Sequence, residues 1–268
     1  MTRRVRPLVS LAALGLALAA STVAARAVDE IQVYNAEIAK IGQWTLQLHN
    51  NYAINGRREP DYPGGLIPHH ALNGTPELAY GVTDWWEAGL YVPYAVQDHQ
   101  FLSDGVKLRQ LFVTPNADKR EFFYGVNFEF SYSTPRFSES KFNTEIRPII
   151  GFRKGDYEFI VNPIVDIGFG SKGETVFAPA ARFARNFGEN FALGVEYYSD
   201  LGPFRSFLPL NEQQHNIFGV VDFKVGRFDV NAGLGYGLTG GSDRLLAKMI
   251  IGTTLNDGVP VRTTQLKK

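Results

Sequence analysis

Charged side chains at every second position are the residues of this sequence with the clearest chemistry. Glu145 and Arg147 stand two apart within one alternation of apolar and polar residues, and Lys107 and Arg109 stand two apart within another. Residues two apart point to the same side of a β-strand, so each pair shares a face. The candidate site residues are Lys107, Arg109, Glu129, Glu145, Arg147 and Arg182. They fit two roles, an ion-pair network that stabilises a narrow barrel or a charged constriction that selects what passes.

Motifs for a nucleotide cofactor or a catalytic centre are weak by comparison. Residues 235–240 read GYGLTG and match a dinucleotide-binding fingerprint, but that fingerprint needs a βαβ unit and only eleven residues follow Asp257. His69 and His70 are adjacent without Asp, Glu or His at ligand spacing nearby. His215 lacks a serine that stands out as its nucleophile. We therefore predict no catalytic residue, no metal site, no cofactor and no enzyme activity.

The elements that carry the charged residues are predicted strands. Residues 121–133 read EFFYGVNFEFSYS, in which apolar residues alternate with small, polar or charged ones. Segments of this kind follow one another along the chain, which predicts an all-β fold. The twelve predicted strands are 42–52, 76–82, 85–94, 105–113, 121–133, 143–153, 156–168, 175–185, 190–200, 215–224, 227–238 and 244–255.

Two kinds of connection alternate between these strands. Those after the even-numbered strands are mostly tight, as at 83–84 and 225–226. Those after the odd-numbered strands are mostly longer, as at 53–75, 95–104 and 201–214. Transmembrane barrels with both termini in the periplasm show this asymmetry, with short periplasmic turns and longer outer loops.

The composition of the two strand faces supports the same architecture. One face carries large apolar residues such as Leu90, Leu193 and Leu234, and the other carries the charges and several glycines. A soluble barrel would have to pack the aromatic residues of twelve strands into one lumen, whereas a membrane barrel turns them to lipid. We predict an antiparallel up-and-down transmembrane β-barrel of about twelve strands. Glycines such as Gly151 and Gly235 are expected to leave room for charged neighbours.

The first residues have the layout of a secretory signal peptide. Three arginines within the first six residues precede an apolar stretch at 8–20, and Ala-Arg-Ala at 25–27 offers a cleavage site. The apolar stretch is shorter than the roughly 20 residues of a spanning helix. The predicted domains are a signal peptide at 1–27, an N-terminal periplasmic or lumenal segment at 28–41, the barrel at 42–255 and a C-terminal tail at 256–268.

Charge and cysteine content exclude further classes of protein. The chain has 27 Lys and Arg, of which four lie within residues 1–27, against 27 Asp and Glu. The mature chain is therefore acidic on balance and lacks the excess of basic residues of a nucleic-acid-binding protein, so we expect no nucleic-acid partner. Because the chain has no cysteine, it has neither disulfides nor a thiol nucleophile.

Four segments carry a resemblance to a known family. The sequences EIQVYNAEI at 30–38, WTLQLHNNY at 44–52, ALNGTPELAYGV at 71–82 and EIRPIIG at 145–151 resemble a proteobacterial group of outer-membrane transporters. That group is similar to the β-barrel proteins of the meta-pathway of phenol degradation. The resemblance implies a barrel in the outer membrane that passes small solutes, with aromatic or hydrophobic compounds as candidates. It carries over no catalytic residue.

The expected function is that of a channel or transporter in a Gram-negative outer membrane. Its expected partners are outer-membrane lipid, an unidentified small solute and, during biogenesis, the barrel assembly machinery. Two alternatives remain open: a closed structural or partner-binding barrel without transport, and an exported soluble β-barrel that binds a ligand inside. Twelve strands lie between the eight that side chains can fill and the sixteen that leave an aqueous channel. The strand count therefore predicts neither an open nor a plugged lumen.

Overall fold

The computed structural model describes residues 30–258, so the predicted signal peptide and residues 259–268 of the predicted tail lie outside the described residues. No helix in the described range is long and apolar enough to cross a membrane. One 3-10 turn at Ala117–Lys119 accompanies the strand segments. The segments are β1 (Trp44–Asn55), β2 (Leu72–Gly81), β3 (Trp86–Tyr91), β4 (Tyr94–Gln97), β5 (Gln100–Ser103), β6 (Val106–Val113), β7 (Phe122–Tyr132), β8 (Phe142–Lys154), β9 (Tyr157–Asn162), β10 (Val165–Gly168), β11 (Thr175–Phe177), β12 (Ala180–Asn186), β13 (Phe191–Asp200), β14 (Gln214–Val225), β15 (Phe228–Gly237) and β16 (Leu245–Thr254).

These sixteen segments form twelve wall strands, a wall strand being one passage of the chain along the barrel wall. Each wall strand pairs antiparallel with the next one in the chain, and β1 pairs with both β2 and β16, which closes the sheet. Closure removes the free edges of the wall itself, and in the described range edges remain only at the short segments β5 and β11, each of which pairs with one other segment. The predicted antiparallel up-and-down barrel of twelve strands is confirmed.

Four wall strands are interrupted, and each consists of two segments: β3 with β4, β5 with β6, β9 with β10, and β11 with β12. Pro93, Pro163 and Pro179 stand at three of the four breaks, because proline offers no N–H to the ladder. The predicted loop at 95–104 was wrong. β4 and β5 form a hairpin there, joined by Asp98 and His99 with φ of 50° and 62°, the left-handed conformation of a tight hairpin turn.

The two ends of the barrel differ in their connections, which confirms the predicted asymmetry. At one end, here called the short-turn end, two-residue turns occur at 155–156 and 226–227. The opposite, long-loop end carries the connections 56–71 and 201–213. Since Thr45 near the start of β1 pairs with Thr254 at the end of β16, the first and last wall strands begin and end together at the short-turn end.

Large apolar side chains cover the outside of the barrel. Phe122 and Tyr124 point outward from β7 with 57% and 58% of their surface exposed, whereas Phe123 between them is buried in the lumen, as the alternation predicts. Exposed aromatic residues collect at both ends, including Trp44 at the short-turn end and Phe142 at the long-loop end. An apolar outer band flanked by aromatic residues is the pattern of a barrel that faces lipid.

The glycines of the inner face have a different role from the predicted one. Gly151 lies opposite Phe123 on the neighbouring strand, and Gly235 lies opposite Phe218. A Cβ atom at either glycine would overlap the facing ring. These glycines therefore make room for aromatic rings rather than for charged side chains, and the lumen contains an apolar layer that the sequence did not predict.

Candidate functional site

Residues 30–41, here called the plug, lie inside the barrel lumen without forming a strand. Ile31, Val33 and Ala36 are buried within it. The plug ends at the short-turn end, where the N–H of Gly42 donates to the carbonyl of Gly81 at 2.8 Å. The wall therefore encloses a piece of its own chain.

An apolar cluster surrounds the part of the plug nearest the short-turn end. Val33 and Ala36 of the plug pack there against wall residues that point inward. Those wall residues are Leu111, Val113, Phe123, Ile149 and Ile160. Because side chains fill this half of the lumen, the barrel is closed there in the manner of narrow barrels.

Side chains of the wall form hydrogen bonds with backbone groups of the plug. Asn162 accepts the N–H of Tyr34 through its Oδ1 at 2.7 Å and donates to the carbonyl of Tyr34 through its Nδ2 at 3.1 Å. Arg147 Nη1 donates to the carbonyl of Gln32 at 3.0 Å. A buried backbone polar group needs a partner, and these side chains supply it where no neighbouring strand does.

The hydroxyl group of Tyr34 joins the plug to the wall at a second point. It lies 2.7 Å from the hydroxyl of Tyr91, 2.9 Å from Glu30 Oε1 and 3.3 Å from Glu129 Oε1, so its one hydrogen has a carboxylate acceptor on the plug or on the wall. The Arg147 guanidinium lies over the Tyr34 ring, 4.3 Å from its centroid. A cation over a ring adds an attraction that strengthens when water is excluded.

Five of the six predicted site residues meet on β6, β7 and β8. Arg109 Nη2 lies 2.6 Å from Glu77 Oε1 and also contacts Glu87. Lys107 Nζ lies 3.7 Å from Glu129 Oε2. These contacts connect β6 with β2, β3 and β7 across the inner face of the barrel.

The remaining pair on this wall lies within one strand. Arg147 holds Glu145 with two hydrogen bonds, of 2.7 Å from Nε and 3.0 Å from Nη2. Buried charge is costly without an opposite charge and hydrogen bonds, and this fork-like pair supplies both.

The sixth predicted residue, Arg182, lies on β12 in a second cluster. Its Nη1 donates to Glu196 at 2.6 Å, and its Nη2 contacts Asp222. Lys248 also contacts Glu196 and donates to the carbonyl of Ile31 in the plug at 3.1 Å. The second cluster therefore also reaches the plug.

Several residues of the site were not among the predicted ones. Tyr91 and Asn162 fall on the inner face by the same period-two alternation that places the charges there. Their partners in the plug are 57 and 128 residues away in the chain, so no local pattern indicates these contacts. In the described range, no group of three or more His, Cys, Asp or Glu side chains is placed to hold a metal ion.

The connection 56–71 covers part of the long-loop end. Leu66 packs against Ala95 of β4 and Phe137, and Arg57 forms ion pairs with Asp61 and Asp243. Burial raises the pKa of the Asp61 carboxyl above its usual range, and the Arg57 guanidinium opposes this shift. This loop is thus anchored to the barrel rather than extended into solvent.

A cavity of about 140 Å³, here called the vestibule, lies between the plug and the long-loop end. Glu30 and Ile31 of the plug line it, together with Asp200 and Gln214 from the long-loop ends of β13 and β14. The plug thus separates this cavity from the filled half of the lumen.

The comparisons with known proteins show the fold. No family model matches the chain, and no curated protein matches it. The outer membrane channel from Pseudomonas putida F1 is similar in structure with a TM-score of 0.58 and 10% sequence identity, over 84% of this chain and 100% of that one. The translocator domain of the autotransporter NalP from Neisseria meningitidis has a TM-score of 0.46 and 11% identity, over 82% of this chain and 90% of that one.

Proposed function

We propose that this protein is a channel for small solutes in a Gram-negative outer membrane, and that its plug closes the lumen at rest. One observation carries the proposal: the plug belongs to no β-ladder, and wall side chains such as Asn162 and Arg147 hold it. It can therefore leave the lumen without the loss of a hydrogen bond between wall strands. The charges that now face the plug would then face water in a pore.

The outer surface supports the membrane location. The apolar band and its flanking aromatic residues favour a membrane barrel over the soluble alternative, and the likeness of fold to an outer membrane channel points the same way. In this proposal the long-loop end faces the exterior and the short-turn end faces the periplasm. Outer-membrane lipid surrounds the wall, and the barrel assembly machinery inserts it. Aromatic or hydrophobic compounds stay candidate solutes through the family resemblance.

Currents through planar bilayers test the proposal. A variant that lacks residues 30–39 but keeps the signal peptide should conduct at least several-fold more than the unaltered protein. Asn162→Leu removes two hydrogen bonds to Tyr34. At about 1 kcal/mol net for each bond, it should raise the open fraction at least about tenfold.

The matched control is Asn186→Leu, the same substitution at an exposed position at the end of β12. It should leave the current unchanged. A deletion variant that is folded and inserted but carries no current would contradict the channel proposal.

A closed structural barrel is the second candidate, and one observation favours it. All six predicted charges of the lumen contact a group of opposite charge. Such a network stabilises a wall without any transport. The same measurement decides between the candidates, because a structural barrel stays closed to ions after the plug is removed.

A further inference from the structure

The vestibule has the size of a site for one small ring. Its volume of about 140 Å³ is close to that of an apolar protein cavity of roughly 150 Å³ that binds benzene. Ile164, Phe218 and Leu246 supply an apolar part of its lining. A ligand with one ring and a short polar group matches this space.

Carboxylates outnumber basic side chains six to two in the lining of the vestibule. Two basic side chains line the vestibule, Lys107 and Arg147, and both already contact carboxylates of the same lining. The lining carboxylates are Glu30, Glu129, Glu145, Asp166, Asp200 and Asp243. A concave site with an excess of one charge concentrates ligands of the opposite charge.

Three of these carboxylates form a row across neighbouring strands. Glu129 on β7 pairs directly with Glu145 on β8, and Glu145 pairs directly with Asp166 on β10. Like charges directly opposite each other in a sheet are destabilising. Arg109 pairs with Glu129 in the register, but its guanidinium contacts Glu77 and Glu87 instead. Lys107 and Arg147 offset part of this repulsion through their contacts with Glu129 and Glu145, and a bound cation would offset more of it.

A second observation, independent of charge, points to a ligand with N–H groups. Asn216 lines the vestibule and is only 8% exposed, and within the described range its Oδ1 accepts no hydrogen bond. Buried side-chain oxygens almost always have a donor. An ammonium group in the vestibule would supply one once the Asn216 amide turns its oxygen toward the cavity.

From this arrangement we infer that the vestibule is a binding site for a small organic cation, namely an amine with a single ring. Its ammonium group lies among the carboxylates and Asn216, and its ring lies against the apolar lining. A solute that enters from the long-loop end meets this site first, so the inference rests on the proposed channel function. The unchanged plug forms its floor, so binding does not need an open lumen.

Isothermal titration calorimetry on the detergent-purified full chain tests the inference, with benzylammonium as the probe. Benzyl alcohol and benzoate are the matched neutral and anionic probes of the same ring size. Benzylammonium should bind, and the other two should bind at least about fivefold more weakly, which is the scale of one charge pair. Equal binding of benzylammonium and benzyl alcohol, or no binding of benzylammonium, would overturn the inference.

Variants place the site within the molecule. Asp166→Asn with Asp200→Asn should weaken benzylammonium binding at least about fivefold, and Asn216→Asp, which adds a carboxylate, should strengthen it. Glu189→Gln removes the same charge at an exposed position of the short-turn end and should change nothing. Unchanged binding in both vestibule variants would refute the site.

Bilayer currents on the same preparations keep the two proposals apart. Binding without current in the plug deletion variant would retain the site and refute the channel. Current without binding would refute only the site.

Discussion

At the scale of single residues, the lumen depends on which side chains face each other in the register. Phe123 faces Gly151 and fills the space above it. Arg109 is opposite Glu129 in the register, but its guanidinium contacts Glu77 on β2 and Glu87 on β3. A period-two alternation assigns a residue to the inner face but does not determine its partner there. Packing between facing residues therefore decides how the lumen is filled.

Gly151→Leu tests that packing. The new side chain would overlap the Phe123 ring, and overpacking of this kind costs about 1–3 kcal/mol. We expect a lower urea midpoint and a smaller fraction of folded barrel, measured by the heat-dependent shift in gel mobility. The control is Gly219→Leu on the outer face of β14, where a Cβ meets no atom within 4 Å. Equal stability of both variants would refute this account of Gly151.

At the scale of elements, the plug and β1 form a reversal of the chain at the short-turn end. Gly42, between them, has a φ of 74°, a conformation that side chains other than glycine rarely adopt. The reversal allows residues before β1 to run back into the lumen. The plug is thus tethered to the wall at one end and otherwise held by side-chain contacts.

Movement of the plug can be measured with a single cysteine, because the chain has none. Ala36 is 3% exposed, so a water-soluble thiol reagent should label Ala36→Cys slowly. Addition of Asn162→Leu should speed labelling at least about tenfold, since two hydrogen bonds of about 1 kcal/mol each are lost. Ser206→Cys, exposed in the connection 201–213, controls for the reagent and should label at one rate in both backgrounds. Equal labelling rates at position 36 with and without Asn162→Leu would argue against a plug held by Asn162.

At the scale of the whole molecule, the barrel is the reverse of a soluble protein. Its buried ion pairs lie in the lumen beside an apolar layer, and large apolar side chains such as Phe122 and Leu234 cover the outside. Closure of the sheet satisfies the backbone of the wall, so the outer surface needs no water. This orientation underlies the proposed location in a membrane.

Leu234→Arg tests the orientation in lipid. Leu234 lies on β15, is 62% exposed and pairs with Gly219 near the middle of β14. Arginine at position 234 should therefore destabilise the inserted barrel by about 2–4 kcal/mol. Phe228→Arg, at the turn end of the same strand and 43% exposed, should cost only about 0–1 kcal/mol. Urea unfolding in lipid bilayers measures both. Equal small costs would refute lipid contact along this strand.

Prediction from the sequence was strongest where the pattern is local. The alternation at 121–133 assigned each residue of β7 to its face, because strand geometry alone decides the side. The predicted loop at 95–104 failed because Pro93 ended one segment while Asp98 and His99 formed a two-residue turn with positive φ. Asp and His tolerate that conformation better than most residues, and the sequence pattern alone did not reveal it.

The amino-acid sequence by itself determined the twelve-stranded antiparallel barrel, the difference between its ends and the inward position of the six charged residues. These follow from period-two alternation and turn chemistry, which act over a few residues. Only the tertiary structure decided that residues 30–41 lie inside the lumen and which charges pair within it. Those contacts join residues as far apart as Tyr34 and Asn162, and their geometry exists only once the sheet has closed around the plug.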